Sequence, residues 1–222
     1  MLEIKVISLK SEVNRKEKIK NALSCCNFEF LDAINGKEMK ASDYFELFSC
    51  HTSKRRGRKF LTPSELGCFL SHKKAIDEFI LSDNNWLLVL EDDVDVVDNL
   101  NEFIRLIENL RTDSIYILGG QDGLSSFKYV ILGKCEVAGV KRVMMKTYNK
   151  IYRTCCYLIH RNTALEIQSL MYKYRFMADD WAFVIRNTKV KNIYYKRLFS
   201  HPVDLCSSTI ELERDSATKI RI

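Results

Sequence analysis

The chain has only two prolines and eight glycines in 222 residues, and no Pro-, Gly- or Ser-rich linker or internal repeat. That scarcity argues against two domains joined by a flexible segment, and the length suffices for one domain with a sizeable core. Nowhere is there a run of about 18 uncharged apolar residues, so no membrane-spanning helix is expected. The opening MLEIKVISLK places charges inside its apolar stretch and offers no small-residue cleavage site. It reads as a first buried strand and not as a signal peptide. Of the eight cysteines, no two have C-x-x-C spacing, and Cys25-Cys26 and Cys155-Cys156 are directly adjacent. This suits neither a two-cysteine zinc knuckle nor a redox dithiol; reduced thiols used as small core residues are expected, in a soluble, cytoplasmic protein.

Charge is plentiful but uneven. Lys and Arg number 35 against 29 Asp and Glu, and five of the positive charges lie in Lys54-Arg55-Arg56-Gly57-Arg58-Lys59, leaving the rest of the chain at +1. A local basic loop, roughly residues 49 to 61, is expected to meet something anionic. No aromatic platform or nucleic-acid module accompanies it, so nucleic acid is not the expected partner. The 46% hydrophobic content excludes a disordered chain.

Hydrophobic spacing predicts an α/β fold. Leu2 to Ile7 reads as a strand, Asn14 to Ser24 as a helix and Phe28 to Ala33 as a second strand, a β-α-β opening that argues for a parallel sheet with crossover helices. Thr62-Pro63-Ser64-Glu65 is a capping box with proline at the first helical position. Leu66, Phe69, Leu70, Ile76 and Ile80 follow at helical spacing, with Ser71 and His72 on the polar side. Trp86-Leu87-Leu88-Val89-Leu90 is too short for a helix and suits a central buried strand. A helix is expected around Leu100 to Ile107. Further strands are expected at Ser114–Gly119, Tyr129–Leu132, Val140–Met145 and Tyr152–Ile159, and helices at Asn162–Lys173 and Asp179–Asn187.

The central strand ends in Glu91-Asp92-Asp93-Val94-Asp95. Acids at the carboxyl end of a buried strand are costly unless a cation meets them, and ligands of open α/β sheets bind at those ends. If the extended geometry persists, Glu91, Asp93 and Asp95 share one side and Asp92 takes the other. Such a set suits a hard cation, Mg2+ or Mn2+, that binds diphosphate oxygens. An alternative is a haloacid dehalogenase-like phosphatase or phosphotransferase, since Asp93-Val94-Asp95-Val96-Val97 matches that superfamily's D-x-D-x-[TV] string and Asp179-Asp180 imitates its later acidic pair.

Several motifs in order favour another family. LTPSELGCFLSHKKAI, WLLVLEDDV, YLIHRNTA and MADDWAF, preceded by VISLKSEVNRKEKI and FLDAINGKEM, resemble glycosyltransferase family 25, the lipooligosaccharide glycosyltransferases related to procollagen galactosyltransferases. Two departures stand out: Ser8 where the family usually has Asn, and MADDW where a "PvD" segment is usual. The resemblance implies a single GT-A-type domain with a mixed, mostly parallel sheet. It also implies a UDP-sugar donor, most often UDP-galactose, a divalent metal (Mn2+ or Mg2+) and inversion at the anomeric carbon. Ser8, Arg15, Asp32, Ser71, His72, Glu91 and Asp92 would then line the donor site, with Asp93, Glu91 and His201 as metal ligands. Of the acidic pair, Asp180 is expected to be the general base and Asp179 the helix cap. Trp181 is a candidate wall for the acceptor sugar. The acceptor would be a lipooligosaccharide or other surface glycan, and Lys54, Arg55, Arg56, Arg58 and Lys59 would touch its phosphates or anionic lipid at the inner membrane face.

Overall fold

The computed structural model describes residues 1–51, 59–202 and 213. Nine strands form one sheet: β1 (Leu2–Ser8), β2 (Glu29–Asp32), β3 (Trp86–Glu91), β4 (Asp95–Val96), β5 (Ser114–Gly119), β6 (Leu132–Cys135), β7 (Lys141–Val143), β8 (Cys156–His160) and β9 (Asn192–Ser200). It is flanked by helices α1 (Val13–Ala22), α2 (Ala41–Leu47), α3 (Pro63–Leu81), α4 (Leu100–Leu106), α5 (Arg161–Lys173) and α6 (Trp181–Asn187). The strand order is β2-β1-β3-β8-β5-β9-β7-β6, with β4 paired to β9. β1 is parallel to β2 and β3, and β9 to β5, while β8 runs antiparallel between β3 and β5. β7 is antiparallel to β9 and β6, and β4 to β9. Six of the nine strands therefore share one direction.

The apolar run of β3 is explained by cores on both faces of the sheet. Leu87 and Val89 pack with Leu66, Phe69, Ile76 and Phe79 of α3. The alternate residues Trp86, Leu88 and Leu90 pack with Ile19 of α1 and Leu100 and Phe103 of α4. α3 starts as its sequence dictates: Thr62 Oγ1 accepts from the Glu65 amide (3.3 Å), and Glu65 Oε2 accepts from the Thr62 amide (2.9 Å). Such a cap is worth about 1 kcal/mol. The segment after β2 lies against this helix so closely that a Cβ on Gly67 would stand 2.5 Å from the Ile34 carbonyl oxygen.

Four readings are corrected. The extended geometry does not reach Asp95: β3 stops at Glu91, Asp92 and Asp93 form a turn, and Asp95 begins β4, where its carboxylate pairs with Lys18 at 2.6 Å. β6 starts at Leu132, after a short 3-10 turn over Phe127–Tyr129. α2 and β9 are additional elements. β9 is central, yet Lys196 and Arg197 interrupt its apolar pattern; Lys196 reaches out to the Ala138 carbonyl at 2.9 Å. No helix among the described residues is long and apolar enough to cross a membrane. No disulfide joins any two of the seven described cysteines; Cys206 lies outside the described residues.

Candidate active site

Parallel strands deliver their carboxyl ends to one edge of the sheet, where open α/β folds bind ligands. Here β1 brings Ser8, β2 brings Asp32 in register with it, β3 brings Glu91 and its acidic turn, and β9 brings His201. The antiparallel β8 starts at the same edge, so the Cys155 carbonyl accepts from the Glu91 amide at 2.8 Å and Thr154 comes alongside.

The three acids have different partners. Asp92 is buried; Ser8 Oγ donates to its Oδ2 at 2.5 Å and Arg15 Nη1 lies 3.5 Å from Oδ1. Burial pushes its carboxyl above the ordinary range, although Ser8 and Arg15 act against the rise. Asp93 Oδ2 faces His201 Nε2 at 3.2 Å, with Arg15 Nη1 at 4.0 Å. Burial works against the Asp93 charge, but the hydrogen bond and charge of His201 outweigh it and hold the carboxyl below its usual value. His201 is raised in turn: burial disfavours its charge, and Asp93 overcomes that. Asp93 Oδ1 is buried with no hydrogen-bond partner among the described residues. A buried acceptor left unpaired is costly, and a carboxylate beside an imidazole is a donor set that fits a divalent cation.

Glu91 turns toward α3. Its Oε1 accepts from Thr154 Oγ1 at 2.8 Å and lies 3.3 Å from His72 Nε2, while His72 Nδ1 meets Tyr157 Oη at 3.2 Å. The donor atoms of Cys68, His72 and Glu91 all lie within 4.8 Å of one another. Ser71 and His72 are therefore not on a solvated face as their pattern suggests, for both are only 2% exposed. The Ser71 hydroxyl donates to the Gly67 carbonyl (2.7 Å) and accepts from the Ile34 amide (2.8 Å), tying the segment after β2 to α3. Asp32 sits at the rim, half-exposed, with Lys10 at 3.5 Å and Lys16 at 3.8 Å.

In the second acidic pair the helix cap falls to Asp180 and not, as expected, to Asp179. Asp180 caps α6, its Oδ1 accepting from the Phe183 amide at 2.9 Å, whereas Asp179 Oδ2 accepts from the Arg153 amide at 3.3 Å. Trp181 is buried, packs on Tyr157 and donates to the Arg153 carbonyl at 3.0 Å. Of the basic block, Lys59 is exposed, and Lys54, Arg55, Arg56 and Arg58 lie outside the described residues.

The description of glycosyltransferase family 25 (LPS biosynthesis protein) matches residues 1–182 of this chain. The chain belongs to glycosyltransferase family 25. A curated relative, the mouse (Mus musculus) "inactive glycosyltransferase 25 family member 3", is 28% identical over 134 residues, covering 52% of this chain and 21% of the relative. The chain thus spans about a fifth of that relative's length. Among solved structures, the family-25 chain is similar to a glycosyltransferase involved in glycosylation of the major capsid of PBCV-1, at 15% identity and TM-score 0.45 over 99% of each chain. It is also similar to the bifunctional glycosyltransferase WbbM, at 10% identity and TM-score 0.47 over 89% of this chain and 38% of that one. Its architecture is of the GT-A-type α/β class, one mixed sheet flanked by helices.

The family-25 chain also places at this edge residues that local sequence signals did not single out. Arg153 adopts φ +63°, an uncommon backbone state for a non-glycine residue. Its guanidinium donates to the carbonyls of Gly120 (2.7 Å) and Asp122 (3.0 Å), and its charge opposes protonation of His201. Gln121, buried after β5, donates to the Tyr152 carbonyl and accepts from its amide. Asp122 pairs with Arg197 at 3.0 Å, and its Oδ2 is buried with no hydrogen-bond partner among the described residues. A signal existed only in Gly119-Gly120, whose φ values of +147° and +69° mark the sharp exit from β5.

Proposed function

We propose that the chain is an inverting, metal-dependent glycosyltransferase that moves a sugar, galactose from UDP-galactose as first choice, onto a lipooligosaccharide or other surface-glycan acceptor. The observation that carries this reading is the unpartnered, buried Asp93 Oδ1 beside His201 at the carboxyl edge of the sheet. Asp93 and His201 would hold Mn2+ or Mg2+, with Glu91 directly before the turn. When bound, the cation supplies positive charge against which the diphosphate leaves. Ser8 and Arg15 fix Asp92 and so set the shape of the turn. Arg15, half-exposed beside both aspartates, is positioned to pair with a phosphate oxygen, and Asp32 to meet the nucleoside. Asp179, relieved of capping, is the better base for the acceptor hydroxyl, with Asp180 ordering α6 beside it. The basic block would hold the lipid-linked acceptor or anionic lipid at the inner membrane face. A phosphatase using Asp93 and Asp95 is not favoured, because the two carboxylates go to different partners, His201 and Lys18.

The test is thermal stability with UDP, with and without Mn2+. A ligand at a hundred times its Kd stabilises by about 2.7 kcal/mol, roughly 5 to 10 °C for a domain of this size. Asp93→Ala is expected to keep its fold and lose the Mn2+-dependent part of that shift. A variant that retains it would remove Asp93 from the metal site.

A further inference from the structure

We propose that Cys68, His72 and Glu91 form a second cation site, suited to a thiolate-seeking divalent ion such as Zn2+, on the α3 side of the cleft. It stands apart from the donor reading and would hold if the chain bound no nucleotide. Cys68 and His72 are four residues apart on α3, so their side chains share one face a turn apart. Glu91 arrives at the same point from the end of β3. The three donor atoms lie within 4.8 Å of one another, and the His72 Nε2 to Glu91 Oε1 separation is 3.3 Å. With zinc bonds of about 2.0 to 2.3 Å, neighbouring donors of a tetrahedral site stand roughly 3.3 to 3.8 Å apart. The imidazole–carboxylate edge already has that length, and the thiol has to move by no more than about 1 Å.

The surroundings are those of an oriented ligand set. Tyr157 Oη meets His72 Nδ1 at 3.2 Å, so the ring is held between the phenol and Glu91. In the tautomer that donates Nδ1–H to Oη, the Nε2 lone pair faces Glu91 Oε1, and a cation there binds both acceptors. Thr154 Oγ1 donates to Glu91 Oε1 at 2.8 Å and stands 3.9 Å from Cys68 Sγ, steadying the carboxylate and walling the site. An ion can approach: the Glu91 side chain is 30% exposed and Cys68 is half-buried. Donor chemistry separates this site from the other. Thiolate, imidazole and carboxylate favour Zn2+ or Co2+, whereas Asp93 and His201 lack sulfur. Three protein ligands leave the fourth position for water, and occupancy would pin the end of β3 to α3, next to the Asp92-Asp93 turn.

The experiment is titration of the metal-stripped full chain with Co2+, followed by absorption. Expected is one equivalent with a thiolate-to-cobalt charge-transfer band and the intense visible bands of tetrahedral cobalt, displaced by Zn2+. Cys68→Ala should abolish the charge-transfer band, and His72→Asn should weaken Co2+ binding by at least about tenfold. Asp93→Ala and His201→Ala should leave the band in place, while Mn2+-dependent UDP stabilisation should survive Cys68→Ala. No charge-transfer band in the unmodified chain would overturn the proposal. So would a band that survives Cys68→Ala or disappears in a Cys25→Ser, Cys26→Ser double variant. Cys68 is half-buried, so its variant decides the matter even if the buried His72 proves intolerant of change.

Discussion

Asp179 and Asp180 accept from different amides: Asp180 takes that of Phe183 and caps α6, and Asp179 takes that of Arg153. Asn caps a helix about as well as Asp, so Asp180→Asn removes a charge and keeps the helix start. Loss of a general base costs at least about a hundredfold in kcat. Asp179→Asn should show that loss with UDP binding intact, and Asp180→Asn should retain most of its turnover. The opposite ranking would return the base to Asp180. At this scale the acidic turn was legible, because three acids directly after WLLVL have no ordinary core explanation, whereas His201 was suggested only by the family resemblance. The partner of each acid was not. Asp92 is spent on Ser8 and Arg15, Asp95 on Lys18, and Glu91 on α3, and those choices depend on where β3 turns. Arg153 and Gln121 were illegible for a similar reason. Their bonds join segments 119–122, 152–153 and 179–181, and no local spacing encodes that meeting.

Elements with a local cause were read closely. The α3 capping box, the β3 run and the 114–119 strand owe their bounds to neighbours in sequence. β9 was missed because it is specified by tertiary contacts, among them Tyr194 stacked on Tyr116 at 5.2 Å with rings 14° apart. Its snorkelling Lys196 and Arg197 hide the apolar alternation. The basic block from Lys54 to Lys59 is tested as a unit in solution. Each Lys or Arg near an anionic surface contributes about 1 kcal/mol, weakened by salt. Serine at Lys54, Arg55, Arg56, Arg58 and Lys59 should therefore sharply reduce binding to phosphatidylserine-containing vesicles and raise the acceptor KM. Donor affinity should stay the same. Vesicle binding and acceptor kinetics that match the unmodified chain would leave the block a solvated loop.

Across the whole molecule, one geometric fact organises the site: strands running the same way end on the same edge. Ser8, Glu91 and His201 are distant in sequence and adjacent there because β1, β3 and β9 share a direction. The reversed β8 adds its first residues to that edge, which brings Thr154 to Glu91. The decisive measurement is UDP release from UDP-sugars, UDP-galactose first, by the purified chain with a lipooligosaccharide acceptor, in Mn2+ and in excess chelator. Release is expected to need both Mn2+ and acceptor and to disappear in Asp93→Ala. UDP bound but never released as product, or release at the same rate in chelator, would contradict it.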